Sequence, residues 1–217
     1  MPLRAVVFDV GETLVSENRH WGEWADWMGV THLTLFGALG AVIERRSHHR
    51  EVFQLVQPGF DLDAAIRARE AAGWRYRFLP SDLYPDALPC MERLRRDGYR
   101  IGIAGNQPEA AEAALREAGV VADFIASSTR WRVEKPSPAF FAHVVEAAGV
   151  EAGKIAYVGD RLDNDVLPAA AAGMTAVFIR RGPWGVVHAE WPETARANLK
   201  IESLAELPDK LQEMYEL

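Results

Sequence analysis

One cysteine, Cys90, stands in a chain of 217 residues. That excludes an intrachain disulfide framework and a cysteine-cluster metal site. Cys90 sits in a stretch of apolar and basic residues and reads as a buried, inert thiol. No lysine occurs between residues 1 and 134. No run of eighteen apolar residues occurs either, so no membrane-spanning helix is expected. The first residues lack the basic-then-apolar order of a secretory leader, which makes the cytoplasm the default expectation. A basic balance is also missing: the net charge is -7. General nucleic-acid binding is therefore disfavoured, although a local basic pocket for a small anion is still allowed. What remains is ordinary for a soluble globular protein, with 49% hydrophobic and 25% charged residues. The length suits one core domain carrying a smaller insertion.

Ala5 to Phe8 is a short uncharged run without alternation, the pattern of a strand buried on both faces. It ends at Asp9, with Gly11, Glu12 and Thr13 close behind. A carboxylate there either caps a turn or stands where open α/β sheets place their chemistry. From residue 17 the pattern turns helical. Trp21, Trp24 and Trp27 recur at helical spacing, Thr31 is a candidate N-cap for a helix to Glu44, and Asp61 to Ala72 reads as another helix. About sixty residues without a buried-strand pattern are too long for a crossover loop. We therefore expect a small all-helical domain over 17–79 and a core over 1–16 and 80–217.

Strand–helix alternation resumes near residue 80. A helix is expected from Asp82 to Asp97, followed by strands at Tyr99–Ala104, Phe124–Ala126, Ile155–Val158 and Thr175–Ile179. Helices are expected over Glu109–Glu117, Ala139–Ala148 and Val166–Ala172, a polar loop near Trp131, and a tail after Val186 with an edge strand near Leu199 and a final helix. This pattern predicts an α/β fold, a Rossmann-like, mostly parallel sheet with helices on both faces. Its strand ends would collect Asp9, Asn106, Lys135, Asp160 and Asp165 in one crevice. Clustered carboxylates with hard oxygen donors suit Mg²⁺, and no histidine–cysteine group offers a zinc set. Carboxylate nucleophile, metal and lysine together supply the parts for phosphoryl transfer through an aspartyl intermediate.

Asp9 with Thr13, Asn106 after a strand, Lys135-Pro136, and Gly159-Asp160 to Asp165 before Ala171-Ala172-Gly173 resemble the haloacid dehalogenase-like hydrolase superfamily. The resemblance covers residues 4–15 and 80–185, with 17–79 in the position of a helical cap. It implies that Asp9 takes the phosphoryl group, that Lys135 pairs with it, and that Asp9, the Gly11 carbonyl, Asp160 and Asp165 hold Mg²⁺. Backbone N–H groups after Phe8 would hold phosphate oxygens. The partner implied is a small, phosphorylated molecule, and the chain is expected to work as a monomer or homodimer.

Two positions depart from the phosphatase pattern. Gly11 stands where such members carry an aspartate that protonates the leaving group and then activates water. Gly105 stands where they carry a hydroxyl beside Asn106 that binds phosphate. A general acid–base contributes about 10²–10⁴-fold and a lost donor costs roughly 10²–10³-fold, so weak or unusual activity is expected. Glu12 is the candidate substitute acid–base if its loop turns it inward. Substrates that need no leaving-group proton, such as acyl phosphates or aryl esters, are a second escape. The alternatives are a catalytically impaired ligand-binding or regulatory relative and a 2-haloacid dehalogenase. The retained Asp160 and Asp165 disfavour the dehalogenase. Phosphonate hydrolysis is rejected because no lysine is available in the cap.

Other residues have plainer readings. Asp163 reads as a loop or cap residue. The tryptophans of 21–27 read as core of the helical domain or as its interface with the core domain, and one of them could face substrate. Arg45 to Arg50 reads as a solvated helix end that would select a second anionic group, with Arg46 as the candidate, if it faces the crevice. Trp184 is a candidate pocket wall. Gln57-Pro58-Gly59 and the turn near Pro80 are candidate hinges.

Overall fold

Strand β1 (Ala5–Phe8), all four residues buried, lies inside a six-stranded parallel sheet. The computed structural model describes residues 2–216. They fall into two compact units, one comprising residues 2–16 with 78–216, the other Glu17–Arg77.

The second unit is helical: α1 (Asn18–Met28), α2 (His32–Glu44), α3 (Glu51–Val56) and α4 (Leu62–Ala71). Thr31 and Asp61 cap α2 and α4 by accepting the backbone N–H groups of Thr34 and Ala64. Trp24 packs edge-on against Phe53, and the Arg69 guanidinium lies between the Trp24 and Trp74 rings, 4.1 and 4.5 Å from their centroids. Glu23 accepts from Trp74 Nε1 at 2.7 Å and pairs with Arg19 and Arg69. Burial and then the Arg69 charge pull the His20 imidazole down to about 4, which leaves it neutral near pH 7. Trp27 departs from the expected core: it is 43% exposed. Helix α1 ends two residues later at Gly29 in a left-handed conformation.

The first unit carries α5 (Ala87–Arg96), β2 (Arg100–Gly105), α6 (Ala110–Glu117), β3 (Phe124–Ser127), α7 (Ser128–Trp131), α8 (Pro138–Ala148), β4 (Ile155–Gly159), α9 (Leu167–Ala171), β5 (Thr175–Ile179), α10 (Gly182–His188), β6 (Leu199–Ile201) and α11 (Leu207–Glu216). The strand order is β3-β2-β1-β4-β5-β6, with every pairing parallel. Strand residues alternate between two cores. Val6, Phe8, Ile101, Ile103, Val158 and Val177 face α5 and α11; Ala5, Val7, Tyr157, Ala176 and Phe178 face α8 and α9. Phe8 is level with Ile103 and Val158, so Asp9, Gly105 and Asp160 leave the sheet at one edge. The order reverses at β1, which is where open α/β sheets form a crevice.

Four local expectations change. The loop near Trp131 is the short helix α7, because Ser127 Oγ caps it through Arg130 N–H. The helix expected from Asp82 starts at Ala87, after a 3₁₀ turn at Pro80–Asp82. Helix α9 begins at Leu167, behind a wider turn over Leu162–Val166. After Ile179 the expected edge strand and final helix are present as β6 and α11, Asn198 exchanging two hydrogen bonds with the Ala176 backbone just before β6, but the stretch ahead of them carries the unexpected helix α10. Among the described residues no single helix is long and apolar enough to cross a membrane.

Candidate active site

Asp9 follows the last residue of β1, and its N–H bonds the Val158 carbonyl at 2.9 Å, which fixes it beside β4. The Lys135 ammonium donates to Asp9 Oδ1 at 2.5 Å and to Asp165 Oδ1 at 2.6 Å, all three side chains being buried. The segment carrying Lys135 is irregular, and Asn106 holds it: Nδ2 donates to the Lys135 carbonyl at 2.9 Å and Oδ1 accepts its N–H at 2.7 Å. Asn106 therefore meets the backbone that positions the lysine. Burial alone would lower the Lys135 pKa, but the Asp165 and Asp9 carboxylates raise it well above the usual lysine value.

Asp160 and Asp165 complete the group. Oxygens of Asp9, Asp160 and Asp165 lie within 4.8 Å of one another. Asp165 Oδ2 accepts the Arg161 N–H at 3.1 Å, whereas neither carboxylate oxygen of Asp160 has a donor among the described residues although Asp160 is 1% exposed. A buried carboxylate without donors is costly unless a cation meets it. Burial, then Asp165 and Asp9, push Asp160 well above the usual carboxylate range. Burial pushes Asp165 up to about 6, with Lys135 opposing and Asp9 adding to the rise. Three converging oxygens, one set unpartnered, and no nitrogen or sulfur donor fit a hard divalent cation such as Mg²⁺.

Gly159 makes room for this packing. A Cβ there would lie 2.4 Å from Asp165 Cβ, Cγ and Oδ2. Gly159→Ala is expected to cost about 1–3 kcal/mol of stability and to displace Asp165 from Lys135. A urea denaturation series checks it, and an unchanged midpoint would show that the loop yields freely. Gly105 brings the end of β2 equally close, since a Cβ there would lie 2.9 Å from Asp9 Oδ1.

Gly11 stands between Asp9 and Glu12 and forms a bridge with Val15. Glu12 is buried, with φ 53, and its Oε2 accepts the Tyr84 hydroxyl at 2.5 Å. Its side chain lies against Gly182, itself at φ 64, where a Cβ would come within 2.4 Å of Oε2. Arg181 lies 4.1 Å from the Tyr84 ring centroid, donates to the Thr13 carbonyl at 3.0 Å, and pairs with Asp86. Burial and then the Glu12 contact push the Tyr84 hydroxyl well above its ordinary value, so it remains a donor. Tyr84→Phe would leave the Glu12 oxygen without that donor, at an expected cost of about 1–3 kcal/mol. Thermal melting of the variant measures this, and no change would mean that the bond contributes nothing.

Two further candidates are Trp184 and Arg46. Trp184 is buried beneath Arg161, whose guanidinium is 5.2 Å from its ring centroid and pairs with Asp163. Arg46 is exposed in the helical unit, at φ 57 just past α2. Tyr84, Asp86, Arg161 and Arg181 were not singled out from the sequence. Arg181 had a signal in its place just after β5 on the active edge; Tyr84 and Asp86 fall in the stretch expected to begin the helix from Asp82, where neither stood out.

Known proteins resemble this chain in sequence and in fold. Residues 3–173 match the family described as haloacid dehalogenase-like hydrolase. The glyceraldehyde 3-phosphate phosphatase of Methanopyrus kandleri is 30% identical over 201 residues, 84% of this chain and 86% of that protein. The crystal structure of an HAD phosphatase from Thermococcus onnurineus superposes with a TM-score of 0.62 at 26% identity, covering 96% of this chain and 98% of that one. A subfamily IA HAD-superfamily hydrolase from Geobacter sulfurreducens has the same fold, with a TM-score of 0.70 at 21% identity and 96% coverage of each chain.

Proposed function

The chain belongs to the haloacid dehalogenase-like hydrolases, and from that premise we propose a Mg²⁺-dependent phosphatase that works through an aspartyl-phosphate at Asp9. Its substrate is a small phosphorylated metabolite, a class supported by the phosphatase named among its relatives. The observation that carries this reading is the buried set of three carboxylates sharing one lysine, with Asp160 lacking any donor.

Each side chain has one task in this reading. Asp9 attacks phosphorus. Lys135 holds Asp9 in line and offsets the charge that gathers on the phosphoryl oxygens. Asn106 fixes the lysine through its backbone, and Asp165 holds it from the far side. Asp9, Asp160, Asp165 and the Gly11 carbonyl are the Mg²⁺ ligands we assign. Bound there, Mg²⁺ neutralises the carboxylates and withdraws electrons from the phosphate. Glu12 is engaged by Tyr84, which favours a role in shaping the loop over one as the substitute acid–base. Weak turnover on simple alkyl esters follows from Gly11.

The test is a panel of phosphate esters, acyl phosphates and 2-haloacids, assayed with Mg²⁺ and with EDTA, on wild type and Asp9→Asn. Mg²⁺-dependent phosphate release that disappears in Asp9→Asn is the expected result. Halide release without metal would transfer the site to dehalogenation. Mg²⁺ binding without turnover on any compound would make the chain a ligand-binding relative.

A further inference from the structure

We propose that this site selects phosphoryl donors whose leaving groups depart as stable anions, acyl phosphates and phosphates of acidic phenols, and that it releases the phosphoryl group from Asp9 slowly. The proposal rests on Asp9 as the nucleophile. It starts from where protons are held in the α/β unit. Lys135 is engaged by Asp9 and Asp165, and it serves there as a fixed cation. The Asn106 amide bonds the Lys135 backbone on both its atoms. The Glu12 carboxylate accepts from Tyr84, and its side chain is packed on Gly182. Thr13 offers only a hydroxyl, and Gly11 and Gly105 have no side chain. With Asp160 and Asp165 taken up as the assigned Mg²⁺ ligands, none of the side chains named here is a disposable acid.

The chemistry follows from that inventory. An Asp9 oxygen forms a bond to phosphorus, the bond from phosphorus to the leaving oxygen breaks, and the electron pair departs with that oxygen. An alkoxide is too basic to leave without a proton from a positioned acid. A carboxylate or an acidic phenolate leaves as it is. In the second half water attacks phosphorus, the bond to Asp9 breaks and returns its pair to the carboxylate, and the water proton passes to solvent or to the phosphate released. No positioned base takes that proton, so this half is slow once the first is fast. With activated donors the phosphoryl group then resides on Asp9 for most of each cycle.

The experiment combines a leaving-group series with rapid quench, using the full chain in Mg²⁺. Phenyl phosphates of graded acidity, acetyl phosphate and an alkyl phosphate are the donors. The expected result is a kcat/KM that climbs steeply with leaving-group acidity, a kcat that levels off, and a burst of about one leaving group per site. Intact mass of the quenched protein should show one added phosphoryl group, absent in Asp9→Asn. Gly11→Asp should raise alkyl phosphate turnover by about 10²-fold or more and remove the burst. Asp9-dependent turnover with similar kcat/KM for alkyl and acyl donors would overturn the inference, because a proton donor must then be supplied. Absence of Asp9-dependent turnover with every donor would instead remove Asp9 as nucleophile, and the proposal with it.

Discussion

Replacing Lys135 with methionine is expected to lower Mg²⁺-dependent phosphate release by about 10³-fold or more. Methionine keeps the unbranched reach of lysine but brings no charge. The ammonium bonds Asp9 and Asp165 together, and nothing else in the α/β unit is seen to do so among the described residues. Without it Asp9 loses the donor that aims its attacking oxygen, and the transferring group loses a buried cation where low dielectric makes charge count most. Lys135→Arg is not expected to rescue, because a planar fork does not fit a site shaped for a compact ammonium between two carboxylates. The Phe140 and Tyr157 rings limit the room further, with centroids 5.9 and 5.7 Å from the nitrogen. Steady-state turnover on the best donor of the panel decides it. Methionine activity within a few-fold of wild type would mean that Lys135 is a structural counter-charge alone.

The residues that meet in this site come from five connections, yet several could be read in advance, and for one physical reason. A buried parallel strand that ends in a carboxylate places it at the sheet edge, so Asp9 and Asp160 were legible as neighbours there, although Asp9 could be told from a turn residue only with Lys135 and Asp165 beside it. Lys135 was legible as a cation brought to the same edge by another connection. The sheet followed from uncharged runs spaced by helices, and α10 and the wide turn at Leu162–Val166 were missed because neither has a helical repeat long enough to read. What could not be read was how side chains far apart in sequence meet. Glu12 and Tyr84 are 72 residues apart, and no local pattern reports their bond. Asn106 was legible at its strand end, but not the hold of its amide on the Lys135 backbone, a contact that depends on an irregular segment's path. The exposure of Trp27 was hidden as well, because helical spacing shows which residues share a face and not whether that face is covered.

Mg²⁺ is expected to stabilise the protein strongly near neutral pH and little in mild acid. In the metal-free chain Asp165 is raised to about 6 and Asp160 well above the usual range, both chiefly by burial. An unfolded aspartate titrates near about 3.9. Between those values the folded state keeps protons that the unfolded chain has released, so metal-free stability falls as pH rises from about 4 through about 6. Lys135 is raised in the folded state, and its contribution is present throughout this window, being lost only far above it. Mg²⁺ binds the ionised carboxylates, so its effect grows over the range in which the metal-free protein weakens. At a hundredfold excess over Kd the gain is about 2.7 kcal/mol. Melting curves in EDTA and in Mg²⁺, at about pH 5 and about pH 7.5, should diverge only at the higher value. Identical curves at both would remove Mg²⁺ from the proposed chemistry. Asp160→Asn should raise the EDTA melting temperature at the higher pH and abolish the Mg²⁺ shift, since it deletes a buried charge that has no donor in the fold. A carboxylate kept at that cost to the metal-free fold is what the proposed cation would account for.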